Sequence, residues 1–275
     1  MDKVAVDLSG PPQTMLATLY AKALDAGSAN PILGDRYAKE VVGRIDYDWT
    51  KTAITARNSA VVTTRTAHLD TWARQFLAAH PSAVVLHLGC GLDGRYFRLQ
   101  PGPAVEWYDV DYPEVAALFT RLYPAAAHHH VVSASVTDPA WLADIPNDRP
   151  ALLIGEGLTM YLSEPDGVGL LRRVVDRFPS GELQFDAFNR LGIKSQWMNT
   201  VVRRSGSTLR WGIDGPDDIL RAVPGTRLLA WVRWFESDSF ARLPRAYQVM
   251  GWLMSRVSAL ANMSQYHRYA FGREC

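Results

Sequence analysis

The glycines of Leu88-Gly89-Cys90-Gly91-Leu92-Asp93-Gly94, and the acids that follow them, are the residues with the clearest capacity for chemistry. Glycine lets a backbone turn left-handed and pass close to a ligand, and the amides that open a following helix point at whatever lies above them. Asp111 stands 20 residues beyond Gly91, at the end of the next apolar run, in Trp107-Tyr108-Asp109-Val110-Asp111-Tyr112-Pro113. A carboxylate there can accept both hydroxyl hydrogen bonds of an adenosine ribose. It can equally cap the helix that Pro113 opens. Glu156, in Gly155-Glu156-Gly157, closes a later apolar run at what would be the ligand edge of a sheet, or serves as a capping or solvated loop acid. His128-His129-His130 suggests a metal, but successive strand residues face opposite ways and no Cys or carboxylate cluster flanks the triplet. No metal is expected.

These groups need a scaffold to bring them together. Residues 83–88 form a short apolar run ending in glycine, as expected of a central parallel strand, and further strand-like runs lie at 104–110, 130–133, 151–154 and 183–185. Helical candidates fall between them at 113–122 and 165–178. The alternation predicts an α/β chain, a Rossmann-like doubly wound and mostly parallel sheet. Residues 14–80 read as helix and loop, with Leu16, Leu19, Tyr20, Ala23 and Leu24 on a 3.6-residue period. The C-terminal third breaks the rhythm with an insertion over about 190–225 that includes a helix over 211–223. A run at 226–234, a helical stretch over 245–262 and a last strand near 266–271 follow. One domain over 1–275 is expected, with 1–80 as a helical lid and 81–275 as the core.

Composition narrows the partners. The chain has 275 residues, of which 48% are hydrophobic and 21% charged, and its formal net charge is +1. Such a chain has no general attraction for nucleic acid or anionic membrane, so a small-molecule partner is expected. Two cysteines, Cys90 and Cys275, make a disulfide framework unlooked-for. No apolar run approaches a membrane span and the first residues lack a signal-peptide core, so the expected location is cytoplasmic.

Both S-adenosylmethionine (SAM) and NAD present an adenosine to a glycine loop and a distant acid, and those residues do not choose between them. Over most of its length, however, the chain resembles the leucine carboxyl methyltransferase family, in its bacterial polyketide O-methyltransferase branch. The resemblance is carried by Leu8-Ser9-Gly10-Pro11-Pro12-Gln13-Thr14-Met15-Leu16, Leu19-Tyr20-Ala21-Lys22-Ala23, Gly34-Asp35-Arg36-Tyr37-Ala38 and Arg44-Ile45-Asp46-Tyr47-Asp48. It continues through the glycine strand, Asp109 to Pro113, and Gly155-Glu156-Gly157-Leu158-Thr159-Met160-Tyr161-Leu162. It implies a class I methyltransferase fold with SAM as cofactor and S-adenosylhomocysteine as its product.

Position by position, the resemblance gives Arg65 the methionine carboxylate of SAM, Glu156 the amino group, and Gly89 and Gly91 the close approach, with Asp111 on the ribose. Lys22 matches the family's lysine, although Arg36 stands where the family has proline. Ser135 and Val136 stand where the family places an Asp-Leu pair for the adenine. The expected acceptor wall is Tyr20, Met160, Tyr161 and Asn189, with Phe188 beside it, and Tyr161 is the candidate for a catalytic role. Methyl transfer from a sulfonium is an in-line displacement that asks for alignment and exclusion of water. A carboxylate acceptor needs only positioning, whereas a phenol gains from a base. The expectation is therefore O-methylation of a small molecule, ahead of an NAD-dependent oxidoreductase or an inactive SAM-binding module.

Overall fold

The computed structural model describes residues 3–6, 11–56 and 58–272. The opening residues Leu8, Ser9 and Gly10, and Cys275, lie outside them. The chain begins with β1 (Val4–Ala5), α1 (Pro11–Ala26), α2 (Arg36–Arg44), β2 (Ile45–Asp46) and α3 (Ser59–Ala79). There follow β3 (Val84–Leu88), α4 (Arg95–Leu99), β4 (Glu106–Asp111), α5 (Pro113–Leu122), β5 (His129–Ser133), β6 (Ala151–Gly155), α6 (Glu164–Arg177) and β7 (Ser180–Phe188). The last third holds α7 (Arg190–Lys194), α8 (Thr200–Ser205), α9 (Pro216–Ala222), β8 (Thr226–Arg233), α10 (Arg245–Met254), α11 (Ser258–Ala261) and β9 (Ser264–Gly272).

Seven strands form one sheet in the order β5-β4-β3-β6-β7-β9-β8. β3 to β7 run parallel, and β9 runs antiparallel to both its neighbours. Every residue of β3 and β6 is buried, which is why both read as unbroken apolar runs. Val84, Leu86 and Leu88 pack with Leu170, Leu171 and Val174 of α6. Val85 points the other way, with Leu152 and Ile154, against Ala73 and Phe76 of α3. Each such buried side chain contributes about 1.5–3 kcal/mol. The strand order reverses between β3 and β6, so their carboxyl ends flank the crevice where such sheets bind ligands.

The doubly wound sheet agrees with the sequence, and the edges of the elements differ from it. The helix expected over 211–223 is only Pro216–Ala222, because the N–H groups of Arg210 and Ile213 donate instead to the carbonyls of Met160 and Phe188, tying 210–213 to the core as an extended segment. The helix expected over 245–262 is two pieces, with Val257 extended between them. β7 runs from Ser180 to Phe188, well beyond 183–185, since its whole length pairs with β9. The short parallel pair β1 and β2 has no periodic signal to announce it.

Candidate functional site

β3 ends in Gly89 and Gly91, at φ of 61° and 57°, a region that favours glycine. A Cβ on either would stand 3.0 Å from Leu158 or Met15, respectively, so the turn has no room for side chains. Asp111, at the end of β4, accepts the Gly91 N–H at 2.7 Å through one oxygen and the Tyr112 N–H at 2.8 Å through the other. The N-cap of α5 is Tyr112, so Asp111 braces the glycine turn and does not cap the helix. Each carboxylate oxygen keeps a further lone pair. Burial pushes the carboxyl above its ordinary value, opposed by those two amides.

Behind the turn lies a buried ionic cluster that joins six segments of chain. Glu156 is the hub: Thr66 donates to its Oε1 at 2.7 Å, Arg65 Nε at 3.3 Å, and Arg95 donates to Oε2. Lys22 Nζ lies 3.8 Å from Glu156 and 2.9 Å from Asp93. Burial opposes ionisation of Glu156, but Lys22, Arg95 and Arg65 outweigh it and hold the carboxyl well below the usual range. Arg65 also donates through Nη1 to Asp186 at 3.0 Å, and the Gly157 N–H donates to the same carboxylate at 2.6 Å. Burial raises the Asp186 carboxyl in spite of Arg65. Arg95, fully buried, bonds Asp70 at 2.9 Å, and Arg98 joins Asp70, Asp93 and Asp35. Arg65 Nη2 has no hydrogen-bond partner among the described residues.

A cavity of about 700 Å³ opens above the turn. Of the residues expected there, Lys22, Arg65, Gly89, Gly91, Asp111, Ser135, Val136, Glu156, Met160 and Tyr161 line it. The Ser135 hydroxyl is shared with Thr137 at 2.8 Å. Tyr20 and Asn189 stand elsewhere. On α1 it is Thr14, Met15, Thr18 and Lys22 that face the cavity, one stripe at helical spacing, and a residue two beyond Thr18 points away. Tyr20 accordingly stacks on Trp49 at 5.1 Å. Asn189 caps α7 through Gly192 N–H at 2.8 Å and donates to Ala259, leaving Phe188 as the wall residue. The histidine triplet divides by face: His128 and His130 flank Glu106, while His129 meets Asp109 at 2.7 Å. No group of metal-binding side chains occurs among the described residues.

Sequence reading passed over Thr66, Asp70, Asp93, Arg95 and Arg98. Asp93 and Arg95 did carry a signal, since they sit in and directly after the glycine loop. Asp70 had none, because a single acid in a long helix is ordinarily solvated.

The profile of the family described as leucine carboxyl methyltransferase matches residues 14–175. The chain is 41% identical over 263 residues to the tetracenomycin polyketide synthesis O-methyltransferase TcmP of Streptomyces glaucescens, covering 96% of each protein. To the S-adenosyl-L-methionine-dependent methyltransferase dpfgK of Gibberella zeae it is 34% identical over 275 aligned positions, covering 92% of each. In fold it is similar to a solved methyltransferase structure from Thermobifida fusca, with a TM-score of 0.60, 18% identity and coverage of 92% of this chain and 94% of that one. A DUF574 family protein from Streptomyces avermitilis has a TM-score of 0.58, 16% identity and coverage of 92% and 97%.

The sheet order, the glycine turn and these relatives together define a class I SAM-dependent methyltransferase, an enzyme. The chain belongs to the leucine carboxyl methyltransferase family. That assignment is favoured over both an NAD-dependent oxidoreductase and an inactive module.

Proposed function

We propose that this enzyme methylates the carboxylate oxygen of a small, largely apolar acid to give a methyl ester. The observation that carries the choice of oxygen is the state of four candidate bases in the cavity wall, each committed or unsuited. Glu156 is held ionised by three cations, and burial pushes the Cys90 thiol and the Tyr161 hydroxyl up. His87 has Nδ1 against Asp109 at 2.7 Å and Nε2 against Arg95 at 3.2 Å. A carboxylate, with a pKa near 4, is already a nucleophilic anion, whereas a phenol near 10 would need a proton acceptor.

The residues present fit SAM, whose sulfonium supplies an activated methyl group. Gly89 and Gly91 give the backbone its close approach, and the open lone pairs of Asp111 suit ribose hydroxyls. Arg65 Nη2 is available to a methionine carboxylate and Glu156 to its ammonium, with Lys22 steadying Glu156. Ser135 and Val136, which line the same cavity, would flank the adenine, the former as a hydrogen-bonding group. Residues 14–47 form a lid through the α1 stripe, Met160 and Tyr161 form part of the acceptor wall, and Tyr161 positions and does not ionise.

The test is the pH dependence of kcat/KM with aromatic acids and phenols offered as acceptors. Acids should be methylated at a rate that stays flat between about pH 6 and 9, since their ionisation is complete. Turnover of phenols alone, rising about tenfold per pH unit, would overturn the reading.

A further inference from the structure

The basic side chains described along the cavity are Lys22, Arg65, His87 and Arg210. Three of them are pinned: Lys22 by Asp93 and Glu156, Arg65 by Glu156 and Asp186, and His87 by Asp109. The Arg210 side chain makes no ion pair and no hydrogen bond among the described residues. Its backbone, by contrast, is firmly held. Its N–H donates to the Met160 carbonyl at 2.7 Å, and its neighbours Leu209 and Trp211 are sunk in the core on either side, 3% and 5% exposed. The Leu209 N–H is fixed in turn by Gln196 at 2.8 Å. The chain therefore presents one exposed guanidinium at the rim of the cavity, where Met160, Leu162, Val201 and Val202 line the wall together with the uncharged Asn199, Thr200, Ser207 and Thr208.

Where a stretch of pocket wall is otherwise uncharged, its one charged group is the one that can fix a charged ligand. A guanidinium is well matched to a carboxylate, which it grips through parallel N–H donors. We propose that Arg210 binds the carboxylate of the acceptor and so selects acids over neutral molecules of the same shape. This rests on the reading of the acceptor as an acid. Methylation converts that carboxylate to a neutral ester, which removes the ion pair and favours release of the product.

The test uses anthracene-2-carboxylate as a fluorescent probe and its methyl ester as the neutral counterpart, each titrated into the whole protein saturated with S-adenosylhomocysteine. The acid should bind about tenfold more tightly than the ester, as a charge-assisted hydrogen bond at a partly solvated rim allows. Arg210→Gln should erase that preference while leaving the affinities for the ester and for S-adenosylhomocysteine unchanged, and Arg210→Lys should retain part of it. A preference that survives Arg210→Gln, a loss equal for acid and ester, or no acid preference in the wild type would overturn the proposal. If the enzyme's own product carries an alkali-stable ether while Arg210→Gln still erases the acid preference, the ester reading fails and the anion anchor stands.

Discussion

Glu156 answers to two demands, one within the cluster and one toward the cavity. As the hub of the buried cluster it neutralises Arg65, Arg95 and Lys22, and as a wall residue it faces the cavity. Removing one partner of a buried pair leaves the other charged and unsolvated, which costs about 3–5 kcal/mol. Arg95→Leu should therefore lower unfolding stability by that amount in a urea titration, because Asp70 and Glu156 lose a partner that is wholly buried. A loss below about 1 kcal/mol would mean that the cluster is not a structural unit. Asp111→Ala belongs to another class, since its carboxylate bonds only backbone amides and the cavity. It should weaken S-adenosylhomocysteine binding by about 1.5–3 kcal/mol in calorimetry. Unchanged affinity would leave Asp111 with the glycine turn as its sole task.

Spacing along α1 sets what that helix can do. Thr14, Thr18 and Lys22 form one stripe, whereas Leu16, Leu19 and Ala23 are buried with Val115 and Phe119 of α5. The helix is thus wall and core at once, and cutting out residues 14–47 would open the core as well as the cavity. A narrower change tests the wall alone. Thr18→Trp should lower acceptor kcat/KM at least about tenfold by filling space, while Tyr20→Ala, which loses the stack on Trp49, should lower stability and leave kcat/KM nearly unchanged. The reverse pattern would put Tyr20 in the acceptor site. The position of Tyr20 against Trp49 was not legible, because the 3.6-residue period marks the faces of a helix without saying which face meets ligand. β3, Gly89 and Asp111 were legible because a buried parallel strand, a glycine turn and a strand-end acid each leave a local mark. The ionic cluster joins Lys22, Arg65, Arg95, Glu156 and Asp186, and no local pattern reports a pairing between residues so far apart. Likewise the extended path of 210–213 follows from the carbonyls of Met160 and Phe188, which lie far off in the chain.

For the molecule as a whole, acid sensitivity should be governed by the half-buried His68 and the buried His267 ahead of the cluster's depressed acids. Burial lowers His68 to about 4 and His267 to about 3. A group depressed in the folded state contributes stability that is present above its unfolded value and is lost as pH falls toward its folded one. Glu156 and Asp93 are depressed well below the carboxylate range, so their contribution persists until pH drops under about 4. Between about pH 6.5 and 5 each of the two histidines should therefore remove about 2 kcal/mol, and urea midpoints should fall over that window. His68→Phe should flatten the fall, and an unaltered slope would show that His68 is solvated. The sheet order was legible from the alternation of runs, and the antiparallel β9 between β7 and β8 was not, since long-range pairing is set by neighbours in space. The central claim is the bond that this assembly makes. The most direct measurement is to supply methyl-labelled SAM, isolate the product and expose it to mild alkali. A methyl ester releases its label as methanol, which the account predicts, and a label retained after alkali would contradict it.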